Sequence, residues 1–508
     1  MRQLRTLAIA LLVTAAVALF AARQADAGSY VVSQCSTVAP GAGQASWEAT
    51  TPGYGGRDRC GSDQGLQAYH DAAESALWHF GAWVWRAPPG TVFTNLQATA
   101  SLTAQAGHRG QLVVTTPAGE QLEFGSEHDD FRVHSIDGEF SQFHAWLRCV
   151  APGSGRPCGR AGEDSAHAYV RGIYLRTEDR AAPTVTLAGG SLFEQPVVRG
   201  TRGLLFEAGD RGGGIRKVEV EANGTILVTD IRNCALADGF ATALSPCPPA
   251  TTESAAVPTA DQAFATGPNL VSACAEDLAL DGAANRVCES REVWVDNACP
   301  RSAVGGGSAL EAGFGGEGDS TLVRSDRAAL VRGRLAGAGG GATVCALTRV
   351  QGYGSPIVVG ATAVTAADGS YAISLPPGPS RDVYVHHAVG DRVLSRHGLS
   401  LRASARPTLQ VSPRRGLRNR RRLHFSGSLP APACEGRLVK IQAQLGRRRW
   451  RVFRTDRADA GCRFAARYRL RATHSARAYS FRALVPEQAG YPFERGNSAT
   501  VRVRVRGG

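Results

Sequence analysis

Apolar and polar residues alternate along most of the chain, and turns rich in Gly, Pro, Asn and Asp separate the alternating stretches. Val92, Leu96, Ala98, Ala100 and Leu102 share one face of an extended chain, because successive side chains of a strand point to opposite sides. No long stretch keeps the 3.6-residue period of an amphipathic helix. The pattern predicts an all-β protein built from tandem β-sandwiches.

The first predicted sandwich spans residues 28–180, and the stretch from Leu66 to Phe80 is the one place where a short helix could form. The run Trp83–Thr91 (WVWRAPPGT) leads into alternating strands. This run resembles the start of a concanavalin-A-like jelly-roll module. The resemblance implies a two-sheet sandwich.

Residues 183–298 form the second predicted segment, with an Asn223-Gly224 hairpin signal between two strands. It ends in Asp296-Asn297-Ala298-Cys299-Pro300. The segment resembles the immunoglobulin-like domains of bacterial surface proteins, in which an A-x-D-x-x-G-N turn precedes a strand ending in V-D-N-x-x-P. This chain departs from that turn, since extra residues separate Asp277 from Asn285.

A Gly-rich stretch at 299–320 is predicted to be a flexible linker. In the next segment, 321–403, the run Thr365–Tyr371 (TAADGSY) leads into a strand. That run resembles the carboxypeptidase-regulatory and collagen-adhesin B-type modules, which implies a prealbumin-like sandwich used as a spacer. The alternating strands of 407–506 predict a final immunoglobulin-like or fibronectin-like sandwich.

The N-terminus has the three parts of a secretory signal peptide, predicted to span 1–27. A basic start is followed by the apolar run Leu7–Ala22 and by the small-x-small sequence Ala25-Asp26-Ala27. The run is shorter than the roughly 20 residues that a membrane span needs, although an uncleaved anchor is an alternative. We expect a secreted chain without a transmembrane segment, either released or held at a cell surface without a covalent tether.

The chain has 12 cysteines, an even number that indicates disulfides in an exported protein. A zinc site would need closely spaced Cys-x-x-Cys pairs, and the sequence has none. Sequence alone does not fix the connectivity, but we expect neighbours to be bonded. The expected pairs are Cys35 with Cys60, Cys149 with Cys158, Cys234 with Cys247, Cys274 with Cys288, Cys299 with Cys345 and Cys434 with Cys462.

Positive charge is concentrated at the end of the chain. Residues 401–508 hold 26 basic and 5 acidic side chains, against 31 basic and 39 acidic in the rest. Such a patch suits an anionic envelope polymer, and nucleic acid is the less expected partner of an exported protein. The alternative is a solvated strand face without a ligand. The residues predicted to bind the polymer are Arg414, Arg415, Arg418, Arg420, Arg421 and Arg422.

Five of the seven tryptophans lie in the first segment. Aromatic rings can form a surface on which sugars stack, or they can fill the core of a sandwich. Both interpretations stay open, and Trp83 and Trp85 must share the same environment because they lie on one strand face. The candidate glycan-binding residues are Trp78, Trp83, Trp85 and Trp146.

Motifs for a serine nucleophile, zinc, phosphate or dinucleotide binding are absent in a usable context. The acidic and histidine-rich stretch 127–144 is the best remaining candidate for chemistry, as a calcium site or a pair of glycosidase carboxylates around Asp137 and Glu139. A polar hairpin is the simpler interpretation. We expect a non-enzymatic extracellular binding or adhesion protein without a cofactor. The alternatives are a structural envelope or stalk protein and a secreted glycoside hydrolase.

Overall fold

The structure is a computed structural model that describes residues 28–506 except 42, 63, 151–156, 162–165, 316–317, 416, 447, 472 and 474. The predicted signal peptide, 1–27, lies outside the described residues. Almost every regular element is a strand, and the strands form separate sheets that pair as sandwiches. The all-β, tandem-sandwich prediction is therefore confirmed. In the part of the chain that is described, no helix is long and apolar enough to cross a bilayer.

The first segment is a two-sheet sandwich with a strongly apolar interior. Its strands are β1 (Gly28–Gln34), β2 (Ser46–Ala49), β3 (Tyr54–Arg59), β4 (Gly65–Ser75), β5 (Phe80–Arg86), β6 (Thr91–Leu102), β7 (Ala104–Gln105), β8 (His108–Thr115), β9 (Gln121–Phe124), β10 (His128–Phe140), β11 (Gln142–Cys149), β12 (Cys158–Ala161) and β13 (Ala168–Asp179), with one 3₁₀ turn at Cys60–Ser62.

One sheet of this sandwich runs β10-β6-β13-β1, with β4 joined to β13 and flanked by β3 and β12. The other sheet runs β2-β5-β11-β8-β7, with β9 on β8. The face of β6 predicted from the alternation, from Val92 to Leu102, is buried between the sheets. The possible helix at Leu66 to Phe80 is wrong: most of that stretch is β4, because pairing with two neighbouring strands in the sheet outweighs local helix propensity.

The strands of the second segment form a three-stranded and a four-stranded sheet. They are β14 (Thr184–Gly189), β15 (Thr201–Gly209), β16 (Ile215–Ala222), β17 (Thr225–Ile231), β18 (Leu236–Ala237), β19 (Phe240–Ala241), β20 (Ala250–Pro258), β21 (Gly267–Asp277) and β22 (Arg286–Val295).

The sheet orders are β14-β15-β20 and β17-β16-β21-β22. The predicted hairpin joins β16 to β17, and Asn223 and Gly224 both have positive φ, as a type I′ turn requires. The short strands β18 and β19 extend a sheet of the first sandwich, where Ala241 lies parallel to Val32 of β1.

The third segment contains a three-stranded and a five-stranded sheet, ordered β23-β25-β28 and β24-β30-β29-β26-β27. Its strands are β23 (Ala309–Phe314), β24 (Ser320–Arg324), β25 (Ala329–Ala336), β26 (Thr343–Val350), β27 (Val358–Val364), β28 (Ser370–Leu375), β29 (Arg381–Val389) and β30 (Arg392–Ser404).

Strand β23 lies inside 299–320, so this range is not wholly the flexible linker expected from its glycines. Leu310, Ala312 and Phe314 turn toward the core on alternate positions, which is the pattern of a strand. Strand β25 packs closely against β23 at Gly333. A Cβ atom on Gly333 would lie 1.9 Å from the carbonyl oxygen of Glu311 in β23. Local glycine content therefore did not decide the structure here.

The last segment again has two sheets, ordered β31-β33-β36 and β32-β39-β37-β34-β35, with β38 on β37. Its core includes Phe425, Phe453 and Phe481, whose rings make edge-to-face contacts. The strands are β31 (Gln410–Ser412), β32 (Leu417–Arg418), β33 (Arg422–Ser428), β34 (Leu438–Leu445), β35 (Arg451–Arg457), β36 (Arg463–Arg469), β37 (Arg477–Val485), β38 (Gly496–Asn497) and β39 (Val501–Arg506).

The chain folds into two compact units. The first contains the described residues up to Gly190 together with Gly203–Ala255 and Leu270–Arg291. The second contains Ser191–Arg202, Ala256–Asn269 and the chain from Glu292 onward.

Six disulfides join neighbouring cysteines, so the connectivity expected from the sequence is confirmed. The bonded cysteines differ in their surroundings, because Cys247 is buried, Cys462 is half-buried and Cys288 is exposed. The shared feature is therefore that each bond joins consecutive cysteines, 9 to 46 residues apart, rather than burial in a core. The bonds join Cys35 to Cys60, Cys149 to Cys158, Cys234 to Cys247, Cys274 to Cys288, Cys299 to Cys345 and Cys434 to Cys462.

Candidate functional site

Two adjacent strands of the last segment, β33 and β36, present a row of positive side chains to solvent. On β33, Leu423 and Phe425 point into the core, so the alternate residues Arg422 and His424 point outward. On β36 the same alternation exposes its odd-numbered arginines. We call this surface the basic face, defined as Arg420, Arg421, Arg422, His424, Arg467 and Arg469.

The strand register places basic residues directly opposite one another on the basic face, and one of these pairs joins two arginines. Arg422 pairs with Arg469, and His424 pairs with Arg467, in the antiparallel ladder between β33 and β36. Cross-strand neighbours of like charge destabilise a sheet, by roughly 0.2–1 kcal/mol per pair. An anion bound across the two strands would remove that cost.

A tight turn places Arg420 and Arg421 at the end of this ladder. Arg420 has a φ of +67°. Its backbone N–H donates to the carbonyl oxygen of Leu470 at 2.8 Å, and its own carbonyl oxygen accepts from Arg469 Nε at 2.8 Å. The turn is therefore fastened to the end of β36 by two hydrogen bonds, which keeps the arginines of both strands together.

The remaining predicted arginines lie just before this turn. Arg418 lies in β32, beside Arg506 of the parallel strand β39, and Arg414 and Arg415 are in the preceding loop. All six arginines predicted to bind a polymer are exposed. The sequence prediction missed Arg467 and Arg469 as members of the same surface, because they are distant in sequence and only the pairing of β33 with β36 joins them.

The basic face has no neutralising carboxylate among the described residues. The ion pairs of the arginines that lead into this segment are Arg402 with Glu494 and Arg406 with Asp326. Two carboxylates close to β36 in sequence, Asp456 and Asp459, accept backbone N–H groups instead. The charge of the basic face is therefore available to a ligand.

Three of the four tryptophans predicted to bind sugars belong to the core. Trp85 is fully buried, and Trp83 and Trp146 are 9% and 4% exposed. Trp85 Nε1 donates to Gln34 Oε1 at 2.7 Å, and its ring stacks on Phe143 with the centroids 4.8 Å apart. An aromatic platform built on these three residues is therefore wrong, because Trp83 and Trp85 fill the sandwich interior and Trp146 is buried in a separate cluster with Val84 and Val113.

Trp78 is the one predicted sugar-binding tryptophan that is exposed, at 57%. It has a φ of +71° and lies in the turn between β4 and β5. The Arg148 guanidinium lies over its ring, 4.7 Å from the centroid. Arginine already covers one face of the ring, so Trp78 offers at most the other.

The acidic stretch 127–144 contains β10, an edge strand, and its carboxylates contact different partners. Glu139 pairs with Arg180, which holds the pKa of Glu139 below its ordinary value, the opposite of what a general acid needs. Asp137 accepts from Asn95 Nδ2 at 2.6 Å, and Asp130 pairs with Arg132. These contacts are those of a polar, solvated edge.

A buried hydrogen-bonded chain in the second unit was not anticipated from the sequence. His386 Nδ1 and Asp296 Oδ2 are 2.9 Å apart, and His386 Nε2 lies 2.9 Å from His397 Nε2. Cys299 lies close to the first two, but its sulfur is bonded to Cys345 and is not a free thiolate. Because Asp296 and His386 bind each other, the cluster is a closed hydrogen-bond network.

Comparisons with known proteins add little. No family model matches the chain, and no curated protein matches it. Among the solved structures that match is a marsupial T cell receptor, at 8% identity, which covers 63% of this chain and 98% of that chain with a TM-score of 0.17. A match with so low a TM-score carries no inference for this chain.

Proposed function

We propose that this chain is an extracellular, non-enzymatic binding protein that holds an anionic polymer of the cell envelope on the basic face of its last sandwich. The observation that carries the proposal is the register of β33 and β36, which places Arg422 opposite Arg469 and Arg467 opposite His424 with no carboxylate partner among the described residues. The proposal rests on the last segment, because the aromatic residues expected to bind a glycan are mostly core.

The geometry favours a polymer that carries repeated phosphate groups. A guanidinium group binds two oxygens of one phosphate at once, and its charge is not lost at any physiological pH. Successive outward side chains of one strand are about 7 Å apart. A flexible chain of phosphodiesters can therefore meet several arginines of the basic face together.

The test measures binding of the full chain to a purified glycerol-phosphate polymer, with a neutral glucan as the negative control. The variant Arg421→Gln/Arg422→Gln/Arg467→Gln removes three charges from the basic face. At about 1 kcal/mol for each cation near an anionic surface, the affinity falls roughly a hundredfold and the dependence on salt becomes shallower.

The matched control, Arg327→Gln/Arg332→Gln/Arg392→Gln, removes the same number of exposed charges from the third segment. It should change the affinity less than about twofold. Equal losses in both variants would show that only net charge matters, and the proposed site would be wrong. Failure of the unaltered chain to bind any phosphate or carboxylate polymer would overturn the function itself.

A further inference from the structure

Three aspartates of the first unit, one from the first sandwich and two from the immunoglobulin-like segment, lie where these two parts join. Asp179 ends β13 of the first sandwich, Asp210 follows β15, and Asp277 ends β21. Asp179 and Asp277 have no exposed surface, and Asp210 is 6% exposed. Ionised carboxylates are rarely buried in this way without a cation.

Backbone N–H groups of the loop that contains Gly212 and Gly214 bind two of these carboxylates. Asp179 Oδ2 accepts from the N–H of Gly213 at 2.6 Å. Asp210 Oδ2 accepts from Gly212 and Gly214 at 3.0 and 2.7 Å. The loop approaches so closely that a Cβ atom on Gly212 would lie 2.1 Å from Asp179 Oδ2. Asp179 thus fastens the first sandwich to this loop, while Asp210 holds the loop from within the second segment.

Asn285 completes the junction from the second segment. Its backbone N–H and its side-chain amide donate to the two oxygens of Asp277 at 2.8 and 2.7 Å, and the same amide donates to the carbonyl oxygen of Asp179 at 3.0 Å. Tyr30 of β1 donates its hydroxyl to the carbonyl oxygen of Leu244 at 2.7 Å. Every element that meets here contributes a polar group, and none contributes a cation.

Cations on the neighbouring strands pair with other carboxylates. Lys217 binds Glu219 and Glu276, and Arg180 binds Glu139 and Glu178. Arg176 binds Asp281 on the exposed side of the junction. Within the described chain, the three buried aspartates have no ion pair, and Asp210 Oδ1 has no hydrogen-bond partner at all. The negative charge of the cluster is therefore uncompensated by protein groups.

A bound cation or a bound proton could neutralise such a cluster. Over the described residues, the one group of His, Cys, Asp or Glu with ligand atoms mutually within 4.8 Å is Asp296, Cys299 and His386. The three aspartates do not form such a group, which favours a proton as the neutralising species. Burial and the charge of Asp210 raise the pKa of Asp179 to about 6, and burial with the charges of Asp179 and Asp210 raises that of Asp277 to about 7.

The remaining ionisable groups of the cluster act in the same direction, although the hydrogen bonds from the glycine loop and Asn285 oppose them. Burial raises the pKa of Asp210 as well, and burial beside the three aspartates raises the pKa of Tyr30, which stays neutral and cannot supply a charge. A carboxylate surrounded by carboxylates and a neutral phenol gains most from taking up a proton.

We propose that Asp179, Asp210 and Asp277 form a proton-controlled joint, which fixes the first sandwich to the immunoglobulin-like segment most firmly in acidic medium. The folded pKa values of Asp179 and Asp277 are raised above the ordinary value of 3.8. The stabilisation is therefore complete at low pH, declines as the pH rises, and is lost once the pH passes about 7. This inference is independent of the proposed polymer binding.

Hydrogen exchange of the full chain tests the joint. Peptides that contain Ala181, Gly213 and Asn285 are followed from pH 5 to pH 8, after correction for the intrinsic exchange rate. We expect protection to fall by up to about tenfold per pH unit for each titrating carboxylate between pH 5 and 7 and then to level off.

The decisive variant is Asp210→Asn. Its amide oxygen can keep the bonds to Gly212 and Gly214, while its NH₂ group replaces the unpartnered oxygen, so one charge is lost without a lost hydrogen bond. We expect higher protection at pH 7 and a decline that levels off at a lower pH, because the folded pKa values of Asp179 and Asp277 fall. The exposed control Asp129→Asn should leave the profile unchanged.

Two results would overturn the proposal. A pH-independent protection in the unaltered chain would show that the carboxylates do not titrate in this range. Full protection at pH 8 on addition of calcium chloride alone, which Asp210→Asn abolishes, would show that a cation rather than a proton neutralises the cluster.

Discussion

The first and last sandwiches share an architecture but keep their ionisable groups in opposite places. The first buries histidines such as His70, His108 and His144 within or between its sheets, whereas the last exposes Arg422 and Arg469 on a sheet whose interior is apolar. Burial ties the charge of a group to pH, because the charged form loses water. Exposure ties it to salt and to bound anions. The charge state of the first sandwich therefore depends on pH, and the charge effects of the last sandwich depend on salt and bound anions.

The largest expected effect comes from the interior of the first sandwich. Trp85→Ala removes a fully buried indole and should lower the free energy of unfolding by about 3–5 kcal/mol. Trp78→Ala, at an exposed ring, should change it by less than about 0.5 kcal/mol. Urea unfolding followed by circular dichroism measures both. Equal effects of the two variants would contradict the assignment of Trp85 to the core.

Acid should lower the free energy of unfolding of the first sandwich and leave that of the last sandwich nearly unchanged. Burial lowers the pKa of His108 and of His144 from 6.5 to about 4. Because the unfolded chain takes up these protons first, stability is present above about pH 6.5 and is lost as the pH falls toward 4. Tryptophan fluorescence during urea unfolding reports mainly on the first segment, which holds five of the seven tryptophans.

His144→Gln separates this effect from general acid denaturation. Its loss of stability between pH 7 and 4.5 should be smaller than that of the unaltered chain, because one buried imidazole no longer resists protonation. The same range tightens the joint around Asp210, so local exchange at the joint and global unfolding should respond to acid in opposite directions. An identical acid response in the variant would rule out His144 as a contributor.

The smallest expected effect is a gain of stability on the basic face. Arg422→Gln relieves its repulsion with Arg469 and should raise the free energy of unfolding of the last sandwich by about 0.2–1 kcal/mol at low salt. At 1 M salt, where charges are screened over about 3 Å, the gain should vanish. Arg324→Gln, which breaks a pair with Asp326, should give no gain. Thermal unfolding at two salt concentrations measures the difference.

Alternation was sufficient to predict the strands and the buried face of β6, because the side-chain period of a strand is a local property. The disulfides followed from chain order, since each bond joins two cysteines that are consecutive in the sequence. The same local reasoning failed at Leu66 to Phe80 and at β23. In both places pairing with distant strands, such as β13 or β25, decided the conformation.

The candidate sites were predicted only where they were continuous in sequence. The cluster of arginines from Arg414 to Arg422 was visible as a charge run, but Arg469 joined it only through strand register. Asp277 stood out as a turn residue, yet its meeting with Asp179 and Asp210 depends on the fold. Burial of Trp83 and Trp85 could not be read from a pattern that fits an exposed face equally well.

The Cys299–Cys345 disulfide also bears on how the protein responds to mechanical tension. A pull along the backbone passes between the two sulfurs and bypasses the 46-residue stretch that they span, which includes β23, β24 and β25. Drawn straight, that length would reach about 150 Å. While the bond is intact, this stretch cannot extend under force. Reduction of the bond would allow it to extend by that length.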